Sequence, residues 1–294
     1  MVMEKISQKF NEYSSFKEVA IRTVKNSFIN SNKLDNEWKK LRFHSKPNFE
    51  DANKEYFKFE DLIIHSAKNI IYLPEAVDLT IDSIYARDSI LVSPKGLIIC
   101  NMGRKTRTSE AFACAEVYKS KGYKIAGKIE SPGTIEGGDF IWIDNNHAAV
   151  GLGPRTNKEG INQLKRIIGD DVDLEIVELP KPNHPEDVLH LMSIISPIDN
   201  DLSLIYRPFM PISFIKWLEN LNIKFIDISD TEYNEMGCNV LAYAPRSVIM
   251  LDDISSVKIK LENEGCTVKT YKGNEISRKG EGGPTCLIRP LMRS

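Results

Sequence analysis

The sequence predicts a five-bladed, pseudo-symmetric α/β propeller, and three observations lead there. A unit of two short apolar strands joined by a tight turn, then an amphipathic helix and a third short strand, occurs four times between residues 83 and 269. Its turns recur roughly every 50 residues, a period typical of propeller-like arrays. A further strand starts at Cys286, and the N-terminal region is left to supply the remainder of a fifth unit. Closing the ring hides the sheet edges and brings strand ends from every unit to a central axis.

Residues 1–40 are read as a helical N-terminal extension, polar and lysine-rich, with Phe16-Lys17-Glu18-Val19-Ala20-Ile21 at helical spacing, and residues 41–294 as one propeller domain. Tyr56 to Ile64 repeats the helical spacing, and between them Phe43-His44-Ser45-Lys46-Pro47 reads as a surface connection or a loop covering a binding site. The first hairpin spans Ser83 to Val92 and Leu97 to Cys100 around Ser93-Pro94-Lys95-Gly96; the second spans Phe140 to Ile143 and His147 to Leu152. The third runs from Val188 to Ser196 and Leu202 to Tyr206 with its turn at Pro197 to Asp201, and the fourth from Asn239 to Tyr243 and Ser247 to Leu251. Amphipathic helices follow at Ser109 to Lys121, Lys158 to Ile168, Ile212 to Leu221 and Ile254 to Glu264.

Lysine plus arginine number 39 against 41 acidic residues, so the charge of -2 advertises neither nucleic acid nor an anionic membrane as a partner. The five cysteines are widely spaced and lack close C-x-x-C pairs, which argues against a structural zinc site and for a reducing compartment. Met1 to Asn11 carries charges where a signal peptide needs an apolar core, and no apolar run approaches the ~20 residues of a membrane span, so a cytoplasmic location is expected.

Polar residues interrupt or precede the first strand of each unit: Asp82, Arg87 and Asp88, then Glu136 and Asp139, then Asp187 and His190, then Asn239, and finally Cys286. Isolated carboxylates in apolar strands are costly, so their equivalent positions point to convergence on one site. Cys286 follows the glycine-rich Gly280-Glu281-Gly282-Gly283-Pro284-Thr285 and is read as a nucleophile, with His190 as acid and base. Paired carboxylates such as Asp88 with Glu136 or Asp139 match a planar guanidinium in bidentate fashion, and that cation beside Cys286 would favour thiolate over thiol. Taken singly, Asp88 could pair with Arg87, and Asn239 reads as a residue holding a strand end.

Arg87-Asp88, Glu136-Gly137-Gly138-Asp139, Gly151-Leu152-Gly153-Pro154-Arg155-Thr156-Asn157, Leu189-His190-Leu191 and Gly282-Gly283-Pro284-Thr285-Cys286-Leu287 together resemble the guanidino-group-modifying enzymes. That superfamily holds arginine deiminases, dimethylarginine dimethylaminohydrolases and amidinotransferases. The resemblance implies the pentein fold, a five-bladed propeller, and a hydrolase working through a covalent Cys286 thiouronium with His190, Glu136 and Asp88 as catalytic partners. It also implies guanidinium ligands at Asp88 and Glu136 with Asp139 in support, a substrate contact at Asp82, and substrate carboxylate binding at Arg155 and Arg107. No cofactor and no metal are implied, and the expected partner is a small guanidino substrate bearing a carboxylate; a homodimer is left open.

Two departures bear on substrate. Met192 stands where arginine deiminases carry an aspartate, and Thr285 where they tend to carry a histidine, which leans toward the dimethylargininase branch. An amidinotransferase using the same cysteine and histidine, and a non-catalytic binding propeller, are the competing readings.

Overall fold

The computed structural model describes residues 8–181 and 189–294; Asp187 and Val188 lie outside them. The chain opens with β1 (Phe16–Ile21), α1 (Val24–Ser27), α2 (Ser31–Glu37), α3 (Phe49–Ile64) and β2 (Asn69–Tyr72). Four repeats of the unit follow. They are β3 (Ile90–Ser93), β4 (Gly96–Ile99), α4 (Thr108–Ser120) and β5 (Ile125–Lys128), then β6 (Phe140–Trp142), β7 (His147–Leu152), α5 (Lys158–Ile168) and β8 (Asp173–Glu178). The third comprises β9 (Ile195–Asp199), β10 (Leu202–Ile205), α6 (Ile212–Asn220) and β11 (Lys224–Asp227); after α7 (Asp230–Asn234) the fourth comprises β12 (Leu241–Ala244), β13 (Ser247–Leu251), α8 (Ser255–Asn263) and β14 (Thr267–Tyr271). The chain closes on β15 (Ile288–Arg293).

These strands form five three-stranded sheets, each with an antiparallel pair and a parallel third strand reached through a helix. The fifth is assembled from both ends of the chain: β15 pairs antiparallel with β1, and β1 pairs parallel with β2. The first strands β3, β6 and β9 are almost wholly buried, and β12 is buried in its first half, whereas third strands such as β8 and β11 are partly exposed. The first strands therefore face the axis, and the polar residues that precede them meet there.

The helical reading of Phe16 to Ile21 is corrected: these residues are the central strand of the fifth sheet. Apolar residues at 16, 19, 20 and 21 satisfy a helix face and a doubly covered strand equally well, and pairing on both edges by β15 and β2 decides. The helical part of the N-terminal region is α1 to α3, and residue 40 is no boundary of the sheet.

Two hairpins also differ from expectation. Ile81–Ile84 form a single 3-10 turn and the first strand begins only at Ile90, so Arg87 and Asp88 sit on an irregular segment. Pro197 lies inside β9 opposite Ser203, not in the turn, because β9 is the edge strand of its sheet and one side of it needs no donor. The four helices of the repeats hold to within one residue at each end, while the helical stretch expected at Tyr56 to Ile64 is the C-terminal part of α3, which begins at Phe49. Asn157 caps α5 by accepting from the Gly160 amide, and Asn48 caps α3 by accepting from that of Asp51. Among the described residues no helix is long and apolar enough to cross a membrane.

Candidate active site

Asp82, Asp88, Glu136, Arg107, Arg155, His190 and Cys286, drawn from four units of the ring, line one small cavity at its axis, together with Tyr85, Arg104 and the loop Gly280 to Gly282. Its space of about 20 Å³ is close to that of one water molecule. Asp139 is the one expected site residue that does not line it.

Glu136 is fully buried and central. Its Oε2 lies 2.8 Å from His190 Nε2, its Oε1 accepts from the Arg104 amide at 2.8 Å, and the Arg155 guanidinium stands 3.6 Å from Oε1. Burial alone would raise the Glu136 pKa, but the hydrogen bond and charge of His190, with Arg155 and Arg107 beyond, hold it well below the usual carboxylate range. For His190, burial disfavours the charged ring, yet Asp139, Asp88 and Glu136 together raise its pKa to about 9. The pair is therefore imidazolium and carboxylate at neutral pH.

Asp139 lies behind His190. Its Oδ1 accepts from the Leu191 amide at 3.0 Å, its Oδ2 from Thr156 Oγ1 at 2.7 Å, and burial raises its pKa to about 6. Direct substrate contact is thus corrected to a positioning role: Asp139 pins the turn that carries the histidine. The Arg155-Thr156-Asn157 run serves three ends in succession, with Arg155 on the cavity, Thr156 on Asp139 and Asn157 capping α5. Gly138 is needed for close approach, since a Cβ there would stand 2.5 Å from His190 Nδ1.

Asp88 accepts from the Gly138 amide at 2.9 Å and from Arg107 Nη1 at 2.6 Å. Arg87 turns away from it, donating through Nε to the Thr285 carbonyl, so the simple Arg87–Asp88 pair does not form. Arg107 also donates from Nε and Nη2 to the two oxygens of Glu110, and from Nη2 to the Tyr85 carbonyl. Its expected role as a binder of substrate carboxylate does not match these partners: it is an internal guanidinium already seated on Asp88. Asp82 faces Arg104, whose Nη1 is 3.0 Å from Asp82 Oδ2, yet burial still raises the Asp82 pKa.

Cys286 is partly exposed. Burial, and then the negative charge of Asp88, push its thiol pKa up, against hydrogen bonds from Asn239 and Thr285 and the charge of Arg87. Asn239 Nδ2 lies 3.5 Å from Sγ, and Asn239 Oδ1 accepts from both the amide and the hydroxyl of Thr285. Sequence reasoning placed Asn239 at a strand end and missed its contact with the nucleophile; its equivalence to the other polar positions was the available signal. Arg104, Tyr85 and Glu281 were missed because no pattern singles them out.

The Phe43 to Pro47 segment belongs to the site's cover. The His44 amide donates to the Lys279 carbonyl, its Nε2 lies 2.9 Å from Glu281 Oε1, and Phe43 packs against Gly280. Glu281 adopts a left-handed conformation at φ 61. Asp88, Glu136 and His190 present ligand atoms within 4.8 Å of one another, a spacing that could hold a metal ion; Arg107 and Arg155 flank them with positive charge. Acidic groups facing a small cavity beside a thiol and an imidazolium suit a planar organic cation whose central carbon the sulfur can reach.

Comparison with known proteins agrees with this chemistry. The model of the arginine deiminase family matches residues 81–220 and 211–293. The uncharacterised protein YkgA of Bacillus subtilis is 24% identical over 82% of this chain and 80% of its own length. An arginine deiminase of Mycobacterium avium is 26% identical over 71% of this chain, which spans only 60% of that enzyme. Among solved structures, the dimethylarginine dimethylaminohydrolase of Pseudomonas aeruginosa, a cysteine-to-serine mutant complexed with citrulline, superposes with a TM-score of 0.75 at 22% identity, covering 94% of this chain and 100% of that one. The pentein fold is shared with these structures, and the chain belongs to the arginine deiminase family.

Proposed function

We propose that this protein hydrolyses a guanidino C–N bond of arginine or an N-substituted arginine, giving a ureido product and ammonia or a methylamine. One observation carries the reading: a thiol, an imidazolium and two carboxylates, contributed by separate blades, meet at a single axial cavity.

In this reading the substrate guanidinium lies against Asp88 and Glu136 and its carboxylate faces Arg155. The resting thiol, held neutral by burial and by Asp88, gives up its proton to solvent more readily once that cation is alongside. The Cys286 sulfur bonds to the guanidinium carbon, the C–N bond breaks, and His190 gives its proton to the departing amine. A water molecule then attacks the thiouronium carbon and yields its proton to His190. The C–S bond breaks with its electron pair going to sulfur, and the remaining hydroxyl proton passes to that thiolate, leaving the ureido product and the thiol. Asp88 already holding Arg107 means that the substrate cation must displace or share that contact.

The test is product release from arginine, monomethyl- and dimethylarginine, agmatine and guanidino acids, with wild type beside Cys286→Ala and with or without glycine as acceptor. Ureido product without acceptor, lost in Cys286→Ala, is expected. Turnover by Cys286→Ala would remove the covalent mechanism, and product only with glycine would make the protein an amidinotransferase.

A further inference from the structure

We propose that the axial core holds a second site, separate from the catalytic cavity, for a small monovalent anion of halide size. Three guanidinium groups meet there: Arg87 from the segment before β3, and Arg289 and Arg293 from β15, each at most 4% exposed. Glu12 is the one carboxylate lining the same space among the described residues. It lies 3.2 Å from Arg87 Nη1 and 3.8 Å from Arg293 Nη2. Three buried cations against one carboxylate leave an excess of two positive charges, and buried charge without a partner is strongly unfavourable.

The unmet hydrogen-bonding capacity is concentrated in the same place. Arg87 Nη2, Arg289 Nε, Arg289 Nη2 and Arg293 Nη2 are buried with no hydrogen-bond partner. Arg87 spends Nε on the Thr285 carbonyl, and Arg293 spends Nη1 on the carbonyls of Ser14 and Ala242. Burial, followed by Arg87 for Arg289 and opposed by Glu12 for both, lowers the pKa of Arg289 to about 10 and of Arg293 to about 9. Arginine resists deprotonation, so a nearby anion is the more economical relief.

Size selects the anion. The cavity these side chains line measures about 30 Å³, so a water-sized or halide-sized occupant fits it without rearrangement. Lys9 at the lining adds positive charge, and Trp142 closes an apolar wall. The site communicates with the nucleophile through one residue: Arg87, whose amide donates to the Cys286 carbonyl and whose side chain holds the carbonyl of Thr285.

The experiment is thermal unfolding of the full chain at constant ionic strength, with sodium gluconate replaced stepwise by chloride or bromide, together with anomalous diffraction from crystals grown in bromide. A midpoint raised by about 2–4 °C on halide alone, and a bromide peak between Arg289 and Arg293, are expected. Arg289→Met should lose the halide-specific rise. Equal midpoints in gluconate and halide, or bromide only at the protein surface, would overturn the proposal. If Arg289→Met does not fold, the bromide position in the wild type decides.

Discussion

Glu136 and His190 form a buried ion pair, 2.8 Å between Oε2 and Nε2, in which His190 keeps Glu136 ionised while Asp139, Asp88 and Glu136 together keep His190 protonated. The His190 value is raised above its ordinary 6.5 to about 9, so its stabilisation is fully present below pH 6.5 and is lost as pH rises through about 9. The Glu136 value is lowered, so its contribution is present above the ordinary 4.5 and fades as pH falls below that. Both are complete between these two limits.

Glu136→Gln should therefore shift the alkaline limb of the rate profile from about 9 toward 6.5, and lower the rate by roughly 10²–10⁴. A pH profile of turnover beside wild type checks this. An unmoved limb would mean that His190 is not the acid.

Alkylation of Cys286 by iodoacetamide should be slow at neutral pH in the free protein and rise only above the ordinary thiol value of 9.0, since burial and Asp88 push that value up. A bound guanidinium compound too small to block access should speed it at neutral pH. Mass spectrometry after timed labelling reads both; a fast reaction at pH 7 without ligand contradicts the neutral resting thiol.

Asn239→Ala removes a donor to Sγ and leaves the Thr285 hydroxyl and amide without their acceptor. We expect a loss of about 1–3 kcal/mol in stability and a further rise in the thiol pKa. Asn239→Asp should restore the Thr285 contacts but not the thiol value, a separation that a purely structural role would not give.

Arg107→Met strands Asp88 and Glu110 without their cation, for a loss of about 3–5 kcal/mol by urea unfolding, whereas Arg107→Met with Glu110→Leu should regain part of it. A single mutant within 1 kcal/mol of wild type would show that the pair is not held as described.

If the carboxylates hold an organic cation, dialysis against a chelator leaves turnover unchanged. Loss on chelation, restored by a divalent ion, would instead assign Asp88, Glu136 and His190 to a metal.

Much of this protein was legible along the chain because strand and helix periods, turn residues and their repetition are local properties. They yielded the blades, the closure of the fifth by both chain ends, and the set Asp88, Glu136, His190 and Cys286. Local pattern failed where two periods fit one stretch, as in Phe16–Ile21, which only pairing on both edges made a strand. It also could not assign partners. Asp139 behind the histidine, Arg107 seated on Asp88 and Asn239 on the sulfur were decided by ring closure, because a hydrogen bond depends on which side chains meet across blades and that distance is not written in sequence separation.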